Sequence, residues 1–238
     1  MKMIKKFAVS MLVTGLAYCS IGINAAVADD TPLPANRYEL PKNYDSEISA
    51  AEAYSNAIAD PERWGKSHGH GNTINGKRPV IVDVRSIPEY VAGHPEGAYN
   101  IPYPFIVQDC STLTPDGACT GPGDKTPQND EDFVAAVELA VPDKDTPIYT
   151  LCRTGHRSVL AANLLTADGY NHVRNIWQGF VGQTKVDFYL NGPLDLNHDG
   201  QITDEDRDGW RYYQHLPYST KLLPQLLYQP YVYLYYEN

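Results

Sequence analysis

Basic side chains are scarce in this sequence: 19 Lys and Arg stand against 29 Asp and Glu in 238 residues, a formal net charge of −10. That deficit argues against nucleic acid or an anionic membrane as partner, because both reward Lys/Arg-rich faces. It also requires that an anionic substrate be drawn in by a local cluster of cations. Long apolar runs are missing too, with one exception at the start. There Lys2, Lys5 and Lys6 precede an uncharged run from Phe7 to Ile23, and Ala26-Val27-Ala28 offers small residues where a signal peptidase reads. Residues 1–28 therefore read as a secretory signal. An uncleaved anchor is the alternative, but the run is short for a span and no second one follows it. Cleavage leaves 210 residues, takes away three lysines and no acids, and moves the formal charge to −13. A periplasmic or secreted chain of that length, with no membrane attachment, is expected to be one domain with insertions.

Cysteines are few. Without Cys19 the exported chain keeps Cys110, Cys119 and Cys152, in a compartment where disulfides persist. Between the first two lies Pro115-Asp116-Gly117, a turn sequence able to bring their sulfurs together. A Cys110–Cys119 disulfide is predicted, stabilising by about 2–3 kcal/mol; two unpaired loop cysteines are the alternative. Cys152 is then left as a thiol.

Periodicity gives alternating helices and strands. Residues 29–44 are an extended, Pro-rich lead-in. Ser49-Ala50-Ala51-Glu52 has the spacing of a capping box and opens a helix to about Ile58. His68 and His70 stand in a Gly-rich loop without acids or cysteines nearby and read as solvated. Val80 to Arg85 is a β-branched run fit for a strand buried on both faces, and Ala98–Ile101 fits a second strand. Residues 104–128 form an irregular insert. Asp130 caps a helix to Ala140, Thr146–Leu151 is a strand, and a helix follows from about Arg157 to Ala167. The order predicts an α/β fold with a mainly parallel sheet and helices on its faces.

In such sheets ligands sit beyond the carboxyl ends of the strands, where a following helix offers free N–H groups to an anion. Cys152 falls there. Gly155 lets the loop curl, and Arg153, His156 and Arg157 bring positive charge. That field favours the thiolate, the reactive form, and would hold a small anionic donor beside it. A buried structural cysteine at a strand end is the bland alternative.

Two blocks carry a family resemblance. The first is Ile81-Val82-Asp83-Val84-Arg85 with Glu89-Tyr90, Gly93-His94, Gly97-Ala98 and Asn100-Ile101-Pro102. The second is Cys152-Arg153-Thr154-Gly155-His156-Arg157-Ser158 with Gly169-Tyr170 and Asn175-Ile176. Together they make the sequence resemble the rhodanese family over most of residues 45–182. The resemblance implies a rhodanese-like domain over 45–225, Cys152 as carrier of a persulfide, a substrate loop of Arg153 to Ser158, and a supporting role for Asp83 and Arg85. It implies a thiosulfate-like donor and leaves the acceptor unknown. Pro95-Glu96 departs from the family's pattern after the histidine. Phosphatase relatives place five residues between cysteine and arginine; here there are four, Arg153 to His156, which favours sulfur over phosphate or arsenate. A non-catalytic scaffold and a thiol-redox or phosphatase-like enzyme are the competing classes.

Asp195 to Asp206 fits a calcium loop: Asp195, Asn197 and Asp199 at alternate positions, Gly200 for the turn, Gln201 for its carbonyl, Ile202 as the apolar anchor and Asp206 as the closing carboxylate. Its last residue is shorter than the usual glutamate, as in dockerin-like loops. A structural calcium ion is expected, and no organic cofactor; an Asp/Asn-rich turn without metal is the alternative. Trp210 with Leu216-Pro217-Tyr218 resembles the family's closing helix, displaced by this insertion. In residues 226–238 Tyr231, Tyr233 and Tyr235 alternate with Val232 and Leu234, which predicts a terminal strand. It would pack on the protein's own body, or else serve as an edge for a homodimer or a partner.

Overall fold

The computed structural model describes residues 36–59, 76–110, 112–187 and 192–237, and for Asp109, Cys110 and Asp187 the backbone alone. All belong to one compact unit, Leu33–Asn238. The expected signal peptide, the start of the lead-in, and His68 and His70 lie outside the described residues. Among the described residues no helix is long and apolar enough to cross a membrane.

The chain runs β1 (Ser46–Ile48), α1 (Ala50–Ala57), β2 (Val80–Asp83), α2 (Ile87–Val91), β3 (Tyr99–Asn100), β4 (Phe105–Cys110), β5 (Gly123–Pro127), α3 (Asp130–Ala140), β6 (Ile148–Leu151), α4 (His156–Ala167), β7 (Val173–Ile176), and a two-stranded piece, β8 (Val186–Asp187) with β9 (Gly192–Pro193). The central sheet has the order β1-β7-β6-β2-β3 and every pairing in it is parallel. Both faces are covered, as the apolar run of β2 demands. Val82 and Ile148 pack with Phe133, Val137, Val159 and Leu165 on one side. Ile81, Tyr149 and Leu151 pack with Ala50, Ala53, Phe180 and Trp210 on the other. Ser49 caps α1 as expected, its Oγ accepting from the Glu52 N–H at 3.1 Å.

Four local expectations change. The insert 104–128 is not irregular: β4 and β5 pair as an antiparallel hairpin. The cap of α3 is Asn129, whose side chain accepts from the Asp132 N–H, rather than Asp130. Trp210 is fully buried, with its indole N–H donating to the Pro217 carbonyl at 2.9 Å, but it stands in a series of turns and not in a closing helix. The tyrosine-rich tail is no strand; it winds as 3-10 turns over Pro224–Leu226 and Gln229–Tyr236. Pro230 in the first turn lacks the N–H that a ladder needs. Tyr228 and Tyr235, seven apart, would fall on opposite faces of a strand, whereas the wound chain buries both. The Tyr235 hydroxyl donates to Asn100 Oδ1 at 2.5 Å and accepts from the Tyr228 N–H, and its ring meets Tyr90 edge-on. The tail thus seals the β3 side of the body.

Candidate active site

Strand β6 is central in the sheet, and Cys152 is the first residue beyond its carboxyl end. The chain then curls into α4 through Gly155, whose φ of 97° is left-handed. A Cβ there would stand 2.2 Å from the Trp177 carbonyl oxygen, so both the turn and the close approach require glycine. The curl aims backbone at sulfur. The Gly155 N–H donates to Cys152 Sγ at 3.1 Å, and Ser158 Oγ lies 3.4 Å from it. The loop is held from behind: Phe180 N–H donates to the Cys152 carbonyl, and the N–H groups of Val181 and Gly182 to that of Arg153. Cys152 is only 1% exposed.

The expected loop cations take a different form from the open anion trap that the sequence suggests. Arg157 makes a two-pronged ion pair with Glu89, both N···O distances 2.7 Å. Glu89 also accepts from the Ser86 N–H and hydroxyl, which fixes it at the start of α2. Burial pushes the Glu89 carboxyl up, but the charge and hydrogen bonds of Arg157 pull it further down, so it ends below the usual carboxylate value. Arg153 donates through Nε to Asp116 at 2.7 Å. Asp116 is buried at the tip of the β4–β5 hairpin; burial raises its carboxyl, and the hydrogen bonds from Arg153 and Thr114 together with the Arg153 charge more than offset that, leaving it lowered. Beneath them Asp83 and Arg85, both fully buried, form a further pair, and Arg85 reaches the carbonyls of Glu89 and Gly93. Asp83 and Arg85 therefore brace the segment that carries Glu89.

The lead-in closes over the loop. The Tyr38 hydroxyl donates to the Thr154 carbonyl at 2.5 Å, and its ring meets His156 edge-on at 5.0 Å. Arg37 reaches the carbonyls of Thr154 and Trp177 and pairs with Asp208 at 2.7 Å. Of the residues expected at the site, Cys152, Gly155 and Ser158 converge on the sulfur. Arg153 and Arg157 flank it in ion pairs, Thr154 offers its carbonyl to the lead-in, and His156 is exposed. Glu89, Asp116, Tyr38, Arg37 and Asp208 were not foreseen as site residues. A groove of about 590 Å³ between α3 and the C-terminal turns, lined by Ile101, Leu139, Tyr228 and Tyr231 among others, takes no residue from the loop.

In the 195–206 loop, Asp195 Oδ2 accepts from the Gly200 N–H, Asn197 Oδ1 from Asp199 and Asp199 Oδ1 from Gln201. Asp206 is fully buried and turned inward, accepting from the N–H groups of Leu196, Asn197 and Thr203. Those bonds, Thr203 foremost, lower its carboxyl. Asp206 thus clasps the ends of the loop, and no group of three or more His, Cys, Asp or Glu among the described residues forms a metal cage. Asp195 Oδ1 is buried without a hydrogen-bond partner, the feature of the loop that fits a cation. Of the expected disulfide, the Cys110 side chain lies outside the described residues; the backbone sets Cys110 across from Gly123 and Cys119 across from Leu113.

Residues 70–185 match the model of the rhodanese-like domain. The fold is a rhodanese-like α/β fold with a mainly parallel central sheet. Its β6–α4 loop with Cys152 and its β2–α2 segment with Glu89 both fall within the matched region. Among similar proteins, the mitochondrial protein High Arsenic Content 1 of Arabidopsis thaliana is 30% identical over 107 residues, covering 45% of this chain and 53% of that one. The thiosulfate sulfurtransferase GlpE of Pseudomonas fluorescens is 26% identical over 111 residues, covering 47% and 75%. A crystal structure from Mycobacterium tuberculosis aligns over 75% of this chain and 99% of its own, with 24% identity and a TM-score of 0.41. The chain spans about half the length of the Arabidopsis relative.

Proposed function

We propose that the protein is an exported sulfurtransferase that carries sulfane sulfur as a persulfide on Cys152. The observation that carries the reading is the Gly155 N–H directed at Cys152 Sγ at 3.1 Å, at the head of α4. A backbone donor at a helix amino terminus stabilises a thiolate, and later the persulfide, without a titratable group. The Cys152 thiolate attacks the outer sulfur of the donor. The new Sγ–S bond forms as the donor's bond to that sulfur breaks, and the leaving group departs with the electron pair. An acceptor nucleophile then attacks the outer sulfur of the persulfide and the pair returns to Cys152. Both half-reactions pass through one sulfur atom and need no redox partner. Intact mass after exposure to thiosulfate, mercaptopyruvate or cysteine persulfide tests this: a gain of one sulfur is expected, and no gain with any of the three would remove the reading.

The 195–206 loop belongs to the same proposal as a structural clip. Asp195, Asn197, Asp199 and the Gln201 carbonyl would hold one calcium ion, with Asp206 clasping the loop behind them; the orphaned Asp195 Oδ1 supports this. The clip would order the segment leading to Asp208, the partner of Arg37 above the active loop. Calcium at about 100 times its Kd is expected to stabilise by about 2.7 kcal/mol, or about 5–10 °C in Tm, with little effect in Asp195→Ala. A Tm indifferent to calcium and chelator would contradict it.

A further inference from the structure

The four arginines around the Cys152 loop are each neutralised. Arg157 pairs with Glu89, Arg153 with Asp116, Arg37 with Asp208 and Arg85 with Asp83. All four carboxylates are nearly inaccessible, with side-chain exposures of 5% or less. A dianion brought to a buried sulfur needs uncompensated positive charge to replace its water, and these pairs leave none. Three of the carboxylates belong to the body of the fold or its supports. Asp116 differs: it arrives on the tip of a hairpin inserted between β3 and α3, and the tip is built to deliver it. Thr114 and Ala118 close the turn through their backbones and the Thr114 hydroxyl. Gly117, at φ 77°, packs so tightly on α2 that a Cβ would stand 2.4 Å from the Pro88 carbonyl oxygen.

We propose that Asp116 is a specificity-determining residue: by occupying Arg153 it turns the site away from dianionic donors such as thiosulfate and toward hydropersulfides, whose reacting end carries at most one charge. This rests on the sulfurtransferase reading above. For a hydropersulfide, the Cys152 thiolate attacks the terminal sulfur, the donor's S–S bond breaks, and the donor leaves as its thiolate while the proton stays on the transferred sulfur or exchanges with water. No step asks for a free cation. For thiosulfate, sulfite would have to leave as a dianion beside Asp116 and Glu89.

The test compares the full-length protein, loaded with thiosulfate and with cysteine persulfide, against Asp116→Asn, which keeps the shape of the side chain and removes its charge. Asp116→Asn is expected to raise the ratio of kcat/KM for thiosulfate to that for cysteine persulfide by about tenfold, mainly through KM, and salt is expected to shrink the gain. In an Arg153→Gln background the same substitution should leave the ratio unmoved. A purely structural role for Asp116 would depress both donors together, and so would a misfolded tip, which circular dichroism and Tm would reveal. A ratio that stays within threefold in a folded Asp116→Asn, or that rises equally without Arg153, overturns the proposal. If neither donor loads the wild-type protein this proposal falls, and if mercaptopyruvate fails as well the sulfurtransferase reading falls with it.

Discussion

Cys152→Ser is expected to keep its fold and lose sulfur transfer by roughly three orders of magnitude or more. The substitution is nearly isosteric. The serine hydroxyl can accept the Gly155 N–H that Sγ accepts now, and its neighbours Phe180 and Ser158 are bound through backbone and hydroxyl groups that do not change. Unfolding temperature should therefore move little. The chemistry has no substitute, because an alkoxide is not available at neutral pH and a hydroxyl does not attack sulfane sulfur. Steady-state transfer and intact mass, measured on a variant with wild-type Tm, check both halves. Persistent transfer by Cys152→Ser would assign the sulfur to another residue.

The largest loss of stability is expected from Glu89→Gln. Glu89 is 2% exposed and receives both prongs of Arg157. The amide keeps the volume, turns one acceptor into a donor facing a guanidinium and leaves that guanidinium without its counter-charge. Breaking one side of a buried pair costs about 3 kcal/mol or more, about 6–12 °C in Tm for a chain of this size. Sulfur loading should fall as well, since Arg157 lies in the first turn of α4 beside the thiol. The sign of the pH effect follows from the lowered Glu89 carboxyl. Its contribution is present in full above the ordinary carboxylate value and is lost as pH falls through the lower, folded one. The gap in Tm between wild type and Glu89→Gln should thus narrow on acidification from pH 6 toward pH 3. A gap that widened would contradict the ion pair.

Three of the five sheet strands, β2, β3 and β6, and the Cys152 loop were legible because their signals are local, whereas β1 and β7 carry no such apolar run. The β-branched residues Val80, Ile81, Val82 and Val84 suit a strand buried on both faces, and a strand followed at once by Cys152 and Gly155 states its own geometry. The pairs that set the site's charge were not legible. Arg157 meets Glu89 across 68 residues and Arg153 meets Asp116 across 37, and nothing in the spacing of a single sequence links them. Asp116 was read correctly as part of a turn, but a Pro-Asp-Gly turn gives the same pattern whether its carboxylate faces water or an arginine. Arg37 and Tyr38 sit in a Pro-rich lead-in with no periodicity to orient them. The tail misled for a physical reason: tyrosine has an apolar ring and a polar tip, so its alternation with Val232 and Leu234 defines no wet face. Tertiary packing around Asn100 and Tyr90 decided the conformation.

The most direct test of a transferable sulfur on Cys152 is a single turnover in the absence of free donor. Protein loaded with cysteine persulfide and freed of excess reagent is mixed with cyanide, and intact mass is read beside the thiocyanate formed. The account predicts that the added sulfur maps to the peptide containing Cys152, that cyanide removes it, and that one thiocyanate appears per loaded chain. Sulfur that maps elsewhere, or that stays on Cys152 when cyanide is present, would contradict it.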